Sequence, residues 1–200
     1  MVSENIRTPA GIDRGLILFY EPLAAEGYEW INCCDSSDYE IFASFDGSPR
    51  TPLWRPVKVR RVRVDNGSTF KASDFPWLGA HALVFGRRSV DMLGPLLSSH
   101  GELLPLAAND GAELFVLNVT RILDAMDDEH SDVIRFPDGR IMYIKSVAFK
   151  ESIVRGVELF RLPHRGSSTY LSDRLVQVVR AGGLQGLVFE PADRRDRSTA

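Results

Sequence analysis

The sequence predicts an α+β fold, mostly antiparallel sheet with a few packed helices, and three observations carry that reading. Short apolar segments bounded by turn signals recur along the chain, the strongest being Leu114-Phe115-Val116-Leu117-Asn118-Val119, as expected of strands. Pro137-Asp138-Gly139-Arg140 separates Val133–Phe136 from Ile141–Lys145, the pattern of a β-hairpin. Two segments, about 87–99 and 172–181, repeat apolar residues at helical spacing: Val90, Leu93, Leu96 and Leu97 in the first, Leu171, Leu175, Val178 and Val179 in the second.

The elements follow in order. Residues 1–27 are mixed, with a short apolar run at Leu16 to Tyr20. Tyr28 to Cys33 reads as a strand with Tyr28 and Trp30 on one face. Tyr39 to Phe45 reads as another, ended by the turn Asp46-Gly47-Ser48-Pro49. In Val57 to Val64 the valines change parity between Val59 and Val62. A β-bulge at Arg60-Arg61 would return all four to one face and line the other with Lys58, Arg60, Arg61 and Arg63. Asp65-Asn66-Gly67-Ser68 then forms a hairpin turn.

Ala82 to Phe85 is extended. The helix from Arg87 carries Gly94-Pro95, a site of kinking because proline removes a donor. Strands follow at Leu103–Leu106, Leu114–Val119, in the hairpin 133–145, and at Gly156–Leu162. Ser172 can cap the second helix by accepting a backbone N–H, and Gly182-Gly183 ends it. Gly186 to Phe189 is a last strand, stopped by Pro191, before a charged tail that frays. Each of the two helices leads through glycine into a short apolar strand and a proline, as similar helix–strand units would.

Composition bounds the function. The 200 residues are 44% hydrophobic and 26% charged, with net charge −3 and pI near 5.8. Such a chain buries an ordinary core and lacks a general field for nucleic acid. It therefore favours basic partners, and direct nucleic-acid binding is not expected. The N-terminus has no basic segment leading into an apolar stretch, so no signal peptide is read. The apolar runs fall short of the roughly 20 residues that a membrane span requires, and a soluble, cytoplasmic protein is expected. Cys33 and Cys34 are adjacent, too close for an unstrained disulfide. They read as reduced thiols in or beside a strand, which fits a reducing compartment.

Motifs for catalysis are absent. The sequence holds no phosphate loop, dinucleotide fingerprint, nucleophile elbow or His-Glu-x-x-His, and His81, His100, His130 and His164 are scattered. No metal or cofactor is expected. His164 near Ser167 and Ser168 is the nearest approach to a nucleophile–base pair, and a solvated loop explains the same residues. Asp124, Asp127, Asp128, Glu129 and Asp132 place five carboxylates in nine residues. They lack a calcium-loop pattern. They read as a solvated loop or as a docking surface for a basic partner. The basic strand face Lys58, Arg60, Arg61 and Arg63 is the rival patch, itself readable as a charged sheet edge.

From about Phe70 to Pro191 the order of features resembles the immunity proteins of bacterial polymorphic-toxin systems first described in myxobacteria, formerly a domain of unknown function. Ser73-Asp74-Phe75-Pro76, Gly101-Glu102-Leu103-Leu104-Pro105-Leu106 and Leu114–Thr120 carry part of the likeness. The C-terminal part is most telling: Glu158-Leu159-Phe160-Arg161-Leu162-Pro163, Tyr170-Leu171-Ser172-Asp173-Arg174-Leu175 and Gly186-Leu187-Val188-Phe189-Glu190-Pro191. The resemblance implies a bacterial protein that binds and neutralises a cognate toxin, often a nuclease, without catalysis, and it transfers no site residues. It divides the chain into a variable β-rich part at 1–69, of the same or a loosely attached domain, an immunity-like α+β domain at 70–191, and a disordered tail at 192–200. The acidic stretch is then the first candidate for the toxin-binding surface. A small hydrolase using a His/Ser or carboxylate site is the alternative, and a self-associating regulatory or assembly protein is a third reading. The oligomeric state is left open.

Overall fold

A computed structural model describes residues 18–164 and 166–193. What the sequence suggests for residues 1–17 and for the tail from 194 lies outside the described residues. In chain order the elements are β1 (Phe19–Ala24), β2 (Trp30–Cys33), α1 (Tyr39–Ala43), β3 (Lys58–Val62), β4 (Val64–Asp65), β5 (Ser68–Thr69), β6 (Val84–Gly86), α2 (Arg87–Leu97) and β7 (Gly101–Ala108). There follow β8 (Glu113–Val119), β9 (Asp132–Arg135), β10 (Ile141–Ser146), α3 (Glu151–Val154), β11 (Leu159–Arg161), β12 (Thr169–Ser172), α4 (Asp173–Ala181) and β13 (Leu187–Pro191).

Two sheets organise the molecule. One has the order β2-β3-β7-β8-β6, the other β11-β12-β1-β13. All their pairings are antiparallel except β3 with β7, so the α+β fold with mostly antiparallel sheet is as expected. The helices α2 and α4 join the sheets. Leu93 and Leu97 of α2 share one core with Leu175, Val176 and Val179 of α4, with Leu117 and Val119 of the first sheet, and with Leu159 and Leu171 of the second. Each such side chain contributes roughly 1.5–3 kcal/mol by leaving water. Ser172 caps α4, its hydroxyl accepting the Leu175 N–H at 3.1 Å. Arg88 of α2 donates to the carbonyls of Gly182 and Gly183 beyond the other end of α4, where terminal acceptors need partners. A second core fills the first sheet around Val59, Leu104 and Val116, and a third lies under β11 and β12 around Phe19, Phe160 and Tyr170.

Two expectations are corrected. Residues 39–43 form the helix α1, not a strand. Asp35 accepts the Ser37 N–H and starts a 3₁₀ turn that runs into the helix, and Phe42 and Phe45, three apart, are buried together, as helical spacing allows. The bulge at Arg60-Arg61 does not form. The register Trp30↔Val62, Ile31↔Arg61, Asn32↔Arg60, Cys33↔Val59 is continuous. Arg61 takes the inner-facing place in line with Val57 and Val59, since alternate residues share a face. A buried carboxylate, Glu29, lies 3.5 Å from its guanidinium. Val64 is exposed and belongs to the β4–β5 hairpin, whose turn Asn66-Gly67 has both φ values positive as an Asn-Gly hairpin requires.

Candidate functional site

The acidic stretch lies between β8 and β9, and backbone bonds hold it in place. The Asp127 N–H donates to Ala148 O and the Lys150 N–H to Ala125 O. Ala125 and Met126 are buried anchors between exposed Asp124 and half-buried Asp127. The structure divides the acids by role. Asp127 shapes the loop: its carboxylate accepts the Glu129 N–H and lies 2.8 Å from His130 Nδ1. The His130 contact, first of all, holds its carboxyl below the usual range. Asp128 pairs with Arg135 and Asp132 with Lys145. Asp124 and Glu129 have no ion pair among the described residues.

The loop leads directly into the β9–β10 hairpin, which pairs with neither large sheet. Val133, Ile141 and Ile144 pack inward against the third core. Ile134, Phe136, Met142 and Tyr143 are exposed, Tyr143 at 55%. Tyr143 and Ile134 are directly opposite across the hairpin. This apolar surface was not anticipated. The turn Pro137–Arg140 between two apolar segments predicted the hairpin, but nothing local said that no third strand among the described residues would pair with it.

The basic residues of β3 do not form one face. Arg61 binds Asp110 at 2.5 Å and Glu29 at 3.5 Å, and Arg63 binds Glu29 at 2.6 Å. Lys58 and Arg60 are exposed on the opposite parity. Half of the rival patch is therefore committed to Glu29, whose side chain is fully buried and also accepts the Ser73 N–H at 3.0 Å.

Ser167 and His100 are committed to structural hydrogen bonds. Ser167 is 1% exposed. Its hydroxyl accepts the Leu162 N–H at 3.0 Å and donates to Ser168 O at 2.9 Å, so its proton is not directed at His164. His100 Nε2 accepts the Glu158 N–H at 3.2 Å, and Nδ1 lies 2.7 Å from Ser99 Oγ. Nδ1 thus carries the proton of a neutral ring. Burial, first of all, lowers the pKa of His81, His100 and His164 from 6.5. The unfolded chain then binds more protons just below that value, and stability falls with falling pH. We expect the urea midpoint to drop between about pH 7.5 and about pH 5.5. Asp46, Asp110 and Asp127, held low by hydrogen bonds, add a further loss below about pH 4. A midpoint that stays level or rises on acidification to pH 5.5 would contradict this.

No group of three or more His, Cys, Asp or Glu able to hold a metal occurs among the described residues. No helix among them is long and apolar enough to cross a membrane. Cys33 ends β2 and Cys34 follows it, both as free thiols, and burial pushes the Cys33 thiol up to about 11. Arg161, which the sequence offers only within the Phe160-Arg161-Leu162 likeness and with no role attached, is 3% exposed at the end of β11 and lines a cleft shared with Asp46 and His164.

A comparison with curated proteins returns no match. A family model does match, over residues 107–194, from the end of β7 through β13. This segment contains the acidic loop, the exposed hairpin and Arg161. It also contains the three C-terminal pieces of the resemblance, whereas Ser73–Pro76 and Gly101–Leu106 fall before it. Over that segment the chain is similar to the immunity protein family (Imm11), an immunity protein family as the sequence suggests.

Proposed function

We propose that this chain is an immunity protein that neutralises a cognate toxin by stoichiometric binding, with the β9–β10 hairpin and the acidic loop as the contact surface. The observation that carries the reading is the juxtaposition of exposed Ile134, Phe136, Met142 and Tyr143 with a carboxylate-rich rim. An apolar centre with an aromatic anchor and a charged margin is the anatomy of a protein interface. Residues 124–145 hold six carboxylates and three Lys or Arg, so this segment alone carries as much net negative charge as the whole chain. The partner it favours is basic, as a nucleic-acid-cleaving toxin is. The family similarity supports an immunity role, and the commitments of Ser167 and His100 described above favour binding over catalysis.

The test mixes the purified protein with the toxin domain encoded beside it. Co-elution on size exclusion and loss of toxin activity are expected, with on the order of 1,600 Å² buried in the complex. Separate elution at micromolar concentration with an active toxin would refute the role. The surface has its own test. Asp128→Lys with Glu129→Lys should slow association about tenfold or more and flatten its salt dependence. Tyr143→Ala should act on dissociation, at about 2 kcal/mol. Asp127 is left intact because it shapes the loop. Unchanged kinetics in both variants would move the contact elsewhere.

A further inference from the structure

Arg161 is a buried charge that no carboxylate among the described residues neutralises. It is 3% exposed, and a guanidinium keeps its proton under ordinary conditions. Nε donates to Ser167 O and Nη1 to Phe45 O, each at 3.1 Å. Nη2 has no hydrogen bond, and no carboxylate pairs with the side chain among the described residues. Burial depresses its pKa and no acidic neighbour opposes the shift. Isolated buried charges are costly, and proteins normally pair them. Here the charge lines a cleft of about 530 Å³ walled by Phe45, Ile122 and Leu162, with His164 and Asp46 also on its surface. A mostly apolar cleft of this size with a few converging polar groups is the usual form of a small-ligand site.

We propose that this cleft binds an organic carboxylate, its acid group on Arg161 Nη2 and its apolar body against Phe45, Ile122 and Leu162. Asp46 argues for one negative charge. Its carboxylate, paired with Arg50 at 3.2 Å, lies on the same cleft, and it repels a doubly charged anion more than a singly charged one. The three apolar walls would be wasted on a bare inorganic anion. The inference rests on Arg161 and its cleft alone and stands apart from toxin binding.

The probe is hexanoate, with hexanamide and inorganic phosphate at matched ionic strength as controls. Hexanoate at about tenfold its Kd should raise the melting temperature by roughly 3–5 °C and move the ring resonances of His164, while the controls should do neither. Arg161→Gln should abolish both effects. Should that variant not fold, Ser44→Trp, placed on the exposed rim of the same cleft, should abolish them by filling the mouth. A capped Leu-Glu-Leu peptide separates the sources: a free acid is assigned if hexanoate binds more tightly, an acidic side chain of a protein if the peptide does. Equal binding of hexanoate and hexanamide, a hexanoate effect that survives both substitutions, or no effect of either acid overturns the proposal.

Discussion

Glu29→Ala is expected to cost about 3 kcal/mol of folding stability, by leaving the Ser73 N–H unsatisfied and removing charge-assisted bonds to Arg61 and Arg63. The residue follows the turn before β2 and is 1% exposed. Its carboxylate joins three segments: Arg61 in β3, Arg63 just after it, and the Ser73 N–H. Its backbone adds two more links, its N–H donating to Lys71 O and its carbonyl accepting from Trp77. Alanine would leave Arg61 and the Ser73 N–H without that acceptor. Arg61 keeps Asp110, which prevents the loss from being larger. In a chain of this length the melting temperature should fall on the order of 10 °C. Glu29→Gln keeps an acceptor for Ser73 and should cost less than alanine. A fall below about 1 kcal/mol for alanine in urea denaturation would show that the cluster is ornamental.

Gly186→Ala should be nearly as damaging, for a steric reason. Gly186 has φ of +111°, a region that L side chains rarely adopt, and a Cβ there would stand 1.7 Å from Ser73 Oγ and 2.8 Å from Ser73 Cβ. Ser73 cannot easily retreat. Its N–H is held by Glu29, and its hydroxyl donates to Gln185 O and accepts the Phe75 N–H. Asp74 is pinned to Gln185 through both backbone and side chain. Backbone strain of about 1–3 kcal/mol and overpacking of about 1–3 kcal/mol should combine. The second variant Ser73→Gly, added to Gly186→Ala, should recover the steric part, because the two sites share one contact. Gly67→Ala is the control: φ is +79° but nothing lies within 4 Å of the added Cβ, so only the strain should appear. Equal losses at Gly67 and Gly186 would remove the steric explanation.

Local signals carried much of the fold. The Ser172 cap, the apolar face of α4, the Asn66-Gly67 turn and the 133–145 hairpin were legible because each is decided by residues close in sequence. The helix at 39–43 was less legible, because five residues are too few to show a helical period and the turn that leads into it is capped from outside the segment, by Asp35. The parity change in β3 was visible, but its cause was not. A bulge is the local remedy, whereas the protein places a carboxylate from 32 residues earlier under Arg61. The candidate site divides in the same way. The acidic residues were legible as a cluster, yet their separate duties depend on Arg135, Lys145 and His130. The exposure of Ile134 and Tyr143, and the lack of a carboxylate beside Arg161 among the described residues, depend on what packs from distant parts of the chain, which no short window of sequence encodes.

The position of β1 bears on how the chain is made. It lies between β12 and β13, and the Tyr20 hydroxyl reaches Asp173, 153 residues away in sequence. At ribosomal speeds of about 5–20 residues per second, both edges of this strand stay open for on the order of ten seconds. An open apolar edge is a template for misassembly with other nascent chains. The strand reads Phe19-Tyr20-Glu21-Pro22-Leu23-Ala24, with a charge and a proline at its middle. These are residues that interrupt intermolecular β-pairing, and they sit where the chain must wait longest for its own partners.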